Sequence, residues 1–323
     1  MLTLIVRRLL QAIPLILLIS FVGFMVIQAT GDPLAAFTVE ADLTSDDIAR
    51  LKAKYGLDKP PPIQYLNWLK HMLTGDWGFS YYTREAVFDM VMHRLPNTLI
   101  LMGFSYVAIL VLGVTLGVLS AVYQYTWFDH VVTGISFLGI AAPSFWLALM
   151  LIYLFAVQFM QWGLPSLPVS GMFELEVGKT FAQVVEHVVL PGTALATVVT
   201  ARYIRFVRAE MLEKINMDFV RTARAKGVPR ITVLFKHVLP NALLPLITLI
   251  GLDIPNFMSG TIVIETVFSW PGMGRLFWSA AERTDIPVLM ATMMLVAVLT
   301  VSAQLLADLF YGLVDPRISY DDD

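Results

Sequence analysis

The sequence predicts an all-α membrane protein that crosses the bilayer six times. Three observations carry this. Hydrophobic residues make up 57% of the 323 positions and charged residues only 15%, whereas a water-soluble domain has about 25% charged residues. The mean hydropathy is +0.72. Six apolar runs, at residues 9–28, 98–122, 131–162, 187–207, 241–265 and 286–311, reach the roughly 17 to 25 residues with which a helix crosses about 30 Å of hydrocarbon. Helix is the expected form because lipid offers a bare backbone no hydrogen-bond partner, and the alternating pattern of a membrane barrel is absent.

The first run follows Arg7-Arg8. A basic pair before an apolar run also opens secretory signals, but this run is as long as a full span and no small-x-small cleavage site follows it directly. It is therefore expected to stay as the first span. In the long loop that comes next, Thr44-Ser45-Asp46-Asp47 offers an N-cap and an acidic first turn. Ile48, Leu51 and Tyr55 share a face, and Gly56 stands where that helix should stop. Beyond Pro60-Pro61-Pro62, residues 63–73 form a second amphipathic stretch whose Tyr65 and Trp68 suit a membrane interface. The second span holds Gly113-xxx-Gly117, a spacing that lets helices approach closely, and Pro191, Pro245 and Pro255 are placed to bend later spans. The expected organisation is residues 1–28 as N-terminal end and first span, 29–97 as a small external subdomain, 98–312 as a five-helix core that includes a cytoplasmic loop at 208–240, and 313–323 as an acidic cytoplasmic tail.

Charge placement orients the chain. Nine basic residues lie between positions 202 and 236 (Arg202, Arg205, Arg208, Lys214, Arg221, Arg224, Lys226, Arg230 and Lys236), while the loop at 163–186 has only Lys179. By the positive-inside rule the basic segment is cytoplasmic, and counting spans places both termini there too. A net charge of −3 gives no reason to expect a nucleic-acid partner, and the absence of cysteine excludes disulfides and thiolate chemistry. His71, His93, His130, His187 and His237 show no ligand spacing, so no metal site is expected. No GxxxxGK[ST] phosphate loop occurs, so an ATP site in this chain is not expected either.

The segment between the fourth and fifth spans is the most informative. Met211, Ile215, Phe219 and Ala223 are expected on one helical face. Gly227 can take a left-handed cap, Arg224 and Lys226 complement the negative end of the helix dipole, and Pro229 permits a restart. Ile231, Leu234, Phe235 and Val238 are the expected apolar face of the second helix. Pattern alone leaves two readings open: a rigid helix–turn–helix that transmits a displacement, or a basic loop that only enforces topology.

Arg221-Thr222-Ala223-x-x-x-Gly227 followed by Leu239-Pro240 resembles the coupling motif, the EAA loop, of binding-protein-dependent ABC permeases. The general pattern begins Glu-Ala; Arg221-Thr222 is instead the form of the dipeptide/oligopeptide branch. Residues 55–60 (Tyr-Gly-Leu-Asp-Lys-Pro), 73–80 (Leu-Thr-Gly-Asp-Trp-Gly-Phe-Ser), 94–98 (Arg-Leu-Pro-Asn-Thr) and 265–274 (Glu-Thr-Val-Phe-Ser-Trp-Pro-Gly-Met-Gly) are similar to that branch, and more narrowly to its subunit with a long first external loop, the DppB/OppB type. The resemblance implies a type I ABC importer permease fold in a bacterial or archaeal plasma membrane. It also implies translocation of di- or oligopeptides delivered by an external solute-binding protein. The implied partners are a second related permease and two ATPases, with ATP and magnesium on the ATPases, no cofactor in this chain and no catalysis by it. Arg221, Thr222, Ala223, Arg224, Gly227, Leu239 and Pro240 would serve ATPase coupling. Other members carry glutathione, nickel chelates or oligosaccharides, which leaves the solute open.

Asp253 lies inside the fifth span, with Asp308 near the end of the sixth. A charge at the bilayer centre costs about 2.5 to 3.5 kcal/mol on insertion scales, so Asp253 should face either a polar translocation path or a partner helix. An ion-coupled carrier, in which such a carboxyl relays the driving ion, is the competing transport mechanism. A non-transporting receptor is a third class.

Overall fold

The computed structural model describes residues 2–30, 46, 50, 53 and 56–314. The helix expected after Thr44 and the acidic tail from residue 315 lie outside the described residues. Ten helices carry the description: α1 (Leu2–Thr30), α2 (Pro61–Leu73), α3 (Val87–Val122), α4 (Trp127–Ala141), α5 (Ser144–Gln161), α6 (Phe181–Ile215), α7 (Asp218–Ala225), α8 (Leu239–Val267), α9 (Met273–Glu282) and α10 (Ile286–Val314). Among the described residues, six helical stretches are long and apolar enough to cross a membrane, at Val6–Ala29, Val87–Val122, Ser144–Gln161, Phe181–Ile215, Arg230–Gly251 and Ile286–Ala307.

The third apolar run, residues 131–162, is not one helix. It breaks at Ala142-Pro143, where Ala142 is extended at φ −77° and ψ 125°. The ring of Pro143 denies helical geometry to the residue before it, and Pro143 then starts the next helix as its N-cap. α4 and α5 result, and α5 widens to a π-helical turn over Tyr153–Gln158. The segment between the fifth and sixth runs contains the amphipathic helix α9.

Two compact units divide the chain. The first holds residues 99–270 and those from 303 onward. Its centre is α6, about 52 Å long at helical rise: 61% of its most apolar stretch is buried, against 17% for α1. Small residues make that burial possible. A Cβ added at Gly113 would lie 2.8 Å from the Tyr203 Cβ, and one at Gly117 would lie 2.8 Å from the Val207 Cβ and 2.9 Å from the Ile204 carbonyl oxygen. On α4, a Cβ at Gly139 would come within 3.1 Å of the Ala201 Cβ. α3 and α4 thus touch α6 almost backbone to backbone. Ile109, Tyr203, Val207, Met211 and Ile264 are fully buried in the resulting core.

The second unit holds residues 2–98 and 271–302. α2 docks on α1 through Tyr65, whose hydroxyl lies 2.9 Å from Ser20 Oγ and whose ring stacks edge-on to Phe21 at 5.2 Å. Three of the sequence blocks noted above have contacts that explain them. The Asn97 side-chain amide donates to the Pro271 carbonyl at 2.8 Å, and the Met273 N–H donates to Thr98 Oγ1 at 2.7 Å. Ser80 Oγ and the Tyr81 N–H both donate to the Asp285 carboxylate, at 2.5 and 3.1 Å. Asp285 is 4% exposed, so these donors replace the water it lost.

Overpacking separates the two kinds of glycine in α3. Gly117→Val should destabilise the purified chain by about 1–3 kcal/mol, read as a lower midpoint in detergent thermal unfolding. Gly103→Ala, which meets nothing within 4 Å, should leave the midpoint unchanged.

Candidate functional site

α6 ends at Ile215, and the chain turns through Asn216-Met217 before α7 begins. Asn216 Nδ2 returns to the Leu212 carbonyl at 2.8 Å. This break shifts the helical phase, so of the face drawn through Met211, Ile215, Phe219 and Ala223 only Phe219 is lost: Ile215 packs against the same buried cluster as Met211 and Ala223. Met211 is buried, but α7 buries Val220 and Ala223, while Phe219 is 38% exposed. α7 ends in a Schellman motif: the Gly227 N–H donates to the Arg224 carbonyl at 2.9 Å and the Val228 N–H to the Ala223 carbonyl at 3.2 Å. Gly227 has φ +77°, a conformation that costs a residue with a Cβ about 1–2 kcal/mol.

Pro229 then caps a short turn, Arg230–Thr232, that widens into a π-helical segment, Val233–Val238, ahead of α8. Pro240 has no N–H to offer the Lys236 carbonyl, and the wider turn accommodates that loss at the start of α8. The widening also moves the apolar face. Val233 and Val238 are buried, whereas Ile231 and Phe235 are 72% and 57% exposed, against the sequence expectation for both. Val220, Ala223, Val233 and Val238 belong to the same buried cluster as Tyr203 and Met211. The α7 turn is therefore clamped from behind, and Arg221, Thr222, Arg224, Gly227 and Pro240 are exposed, with Leu239 half-buried.

Two ion pairs connect the helices of this unit. Asp129, in the first turn of α4, is 2% exposed and fully partnered. Arg208 reaches it through Nε at 2.8 Å and a terminal nitrogen at 2.7 Å, and Ser120 Oγ, the Tyr125 N–H and Thr133 Oγ1 also donate to it. The Arg208 guanidinium holds this carboxyl well below the usual carboxylate range, against the opposing effect of burial. The pair therefore adds its full stability above the ordinary carboxylate pKa and loses it progressively as the pH falls from there towards the lowered native value. The second pair joins Arg202 on α6 to Asp253 on α8 at 2.5 Å. Asp253 is 3% exposed, and its second oxygen, Oδ2, has no hydrogen-bond partner among the described residues.

The sequence matches the family of binding-protein-dependent transport system inner membrane components over residues 113–320, and the N-terminal component of the same systems over residues 1–102. The chain belongs to this family. It is 42% identical over 318 residues to the oligopeptide transport system permease protein AppB of Bacillus subtilis, covering 98% of this chain and 99% of the relative. It is 36% identical over 340 residues to the dipeptide transport system permease protein DppB of Escherichia coli, covering 99% of each. A putative peptide permease protein of Brucella suis is 37% identical over 315 residues, covering 97% of each.

As a binding-protein-dependent permease, the chain is a multi-pass membrane protein that works with a solute-binding protein. Its all-helical architecture is that of type I importer permeases. Arg221, Thr222, Ala223, Arg224 and Gly227 sit together on α7 and its cap, and Leu239-Pro240 opens α8. Asp253 is one helix pair away, on the α6–α8 contact. Asp129 and Arg208 escaped the sequence reading, which counted Arg208 only as topological charge. The available signal was an acidic residue in the first turn of an apolar helix, a position that needs a partner once α4 is recognised as a separate helix.

Asp129→Asn should leave Arg208 facing a neutral amide and cost about 2–3 kcal/mol, at the low side of a buried pair because Arg208 keeps 24% of its side chain exposed. Thermal unfolding of the purified permease in detergent at neutral pH checks this.

Proposed function

We propose that this permease is the membrane-spanning subunit of an ATP-binding-cassette importer that translocates di- or oligopeptides delivered by an external solute-binding protein. The observation that carries the reading is the clamped α7 turn. Its back is buried through Val220 and Ala223 in the same core as the spanning helices, while its outer surface presents Phe219, Arg221, Thr222, Arg224, Ile231 and Phe235. A helix held this way passes a push from a partner into the spans as a rigid-body displacement, where a loose loop would absorb it. The relatives named for oligopeptide and dipeptide transport support the peptide assignment.

In this reading the loop at 208–240 and both termini are cytoplasmic, whereas Arg202, paired with Asp253 on α8, lies within the spans. Residues 29–97 are an external subdomain, 98–312 form the core with its coupling loop at 208–240, and 313–323 are a cytoplasmic tail. A second related permease completes the pathway, and two ATPases carry ATP and magnesium, with α7 seated against one of them; catalysis belongs to those subunits. Asp253 belongs to the translocation path. An ion-coupled carrier is less well supported, because the Asp253 carboxyl that would relay the ion is already paired with Arg202.

Proteoliposomes holding this chain, its partner permease and the ATPases test the assignment. Peptide uptake should require ATP and the binding protein, and uptake driven by an ion gradient without the ATPases defeats the reading. Gly227→Leu, with open space around it but φ +77°, should cut uptake at least about tenfold, since 1–2 kcal/mol of strain at the coupling turn misplaces α7. The amount of permease in the membrane should be unchanged. Wild-type uptake in that variant removes α7 from the coupling role.

A further inference from the structure

The two ion pairs between helices are built differently. Asp129 and Arg208 are closed on each other: two guanidinium nitrogens engage both carboxylate oxygens, and three further donors fill the remaining positions. Arg202 and Asp253 meet through one nitrogen and one oxygen. Asp253 is buried midway between the ends of α8, but Arg202 keeps 43% of its side chain exposed.

A guanidinium presents a fork of N–H donors matched to a carboxylate and binds it in two-pronged fashion where it can. Here only one terminal nitrogen holds Asp253. Charged side chains at membrane depth face the bundle interior or a hydrated cavity, because lipid does not solvate them. By this rule the exposed part of the Arg202 side chain faces a polar space. The Tyr106 hydroxyl lies 3.3 Å from that of Tyr203 and donates to the Ile250 carbonyl at 3.3 Å, so these phenols are engaged with each other and with the backbone.

Resting on the peptide reading above, we infer that Arg202 is a transient binding point for a carboxylate carried by the solute, such as a peptide C-terminus, and that Asp253 is the resident counter-ion that keeps this hold weak. Arg202 offers its exposed donors to the passing carboxylate while Asp253 retains the buried side. A site in a transport path must bind strongly enough to be entered and weakly enough to be left. A neutralised guanidinium meets both demands, whereas a bare one would trap the anion.

The test uses the complete transporter in nanodiscs without its binding protein, with L-alanyl-L-alanine and its C-terminal amide as probes. Binding is read by saturation-transfer NMR, and uptake is measured in parallel proteoliposomes with the binding protein present. The free acid should bind wild type about tenfold more tightly than the amide, the worth of one charge-assisted contact. Arg202→Gln should remove that preference, and Arg202→Lys should retain part of it. Asp253→Asn should act with the opposite sign, tightening the free acid while slowing its turnover. A merely structural pair would lose function in the same direction whichever partner is removed, so same-sign effects, or equal binding of acid and amide by wild type, overturn the inference. Arg202→Lys keeps the charge opposite Asp253, so it decides the matter if Arg202→Gln does not assemble. A wild-type transporter that takes up no peptide overturns the peptide assignment instead, and the binding measurement still rules on Arg202.

Discussion

Inside a bilayer there is no water to drive apolar helices together, so the core of this permease depends on how closely its helices can approach α6. Gly113 and Gly117 on α3 and Gly139 on α4 supply that approach, each with a neighbour on α6 where its own side chain would otherwise stand. Dispersion between close backbones then takes over the work that hydrophobic burial does in water. Every feature of function described here is mounted on α6: one ion pair reaches α4, the other reaches α8, and α7 continues from its end.

The turn at α7 shows how a short polar helix acquires the stiffness of a long one. An isolated eight-residue helix is marginal in water. α7 is held instead by its Schellman cap, by Val220 and Ala223, and by sharing a core with Val233 and Val238 on the strand of chain that enters α8. The π-helical segment between the turn and α8 accommodates Pro240 and rotates Ile231 and Phe235 outward. Ile231, Phe235 and the basic side chains of α7 are thus exposed while their backing is buried.

Basic residues in such a protein carry two kinds of information. Arg221, Arg224 and Lys226 are exposed. Arg202 and Arg208 lie on α6, where a charge without a partner is costly, and each is answered by an aspartate on another helix. Position along the chain does not distinguish the two groups. Depth and burial do, and the degree of closure further separates a pair that fastens helices from one that retains free donors.

Much of this was legible in the sequence, because it depends on local chemistry. The spans follow from apolar length, the Gly227 cap from the freedom of a residue without a Cβ, and the restart at Pro229 from its fixed φ. The break at Pro143 was also readable there but was masked by the continuous apolar composition around it. The faces of α7 and of the segment after it were only partly readable: Ala223 and Val238 are buried as expected, but a two-residue break and a π-helical turn each shift the helical phase and leave Phe219, Ile231 and Phe235 exposed, and no periodicity rule detects that in advance. Arg208, the charged partner of Asp129, lies 79 residues away along the chain, Arg202 lies 51 from Asp253, and Ser80 lies 205 from Asp285. Only the tertiary structure could select them, because a buried charge takes whichever donor the packing brings to it, and packing is a property of the whole bundle.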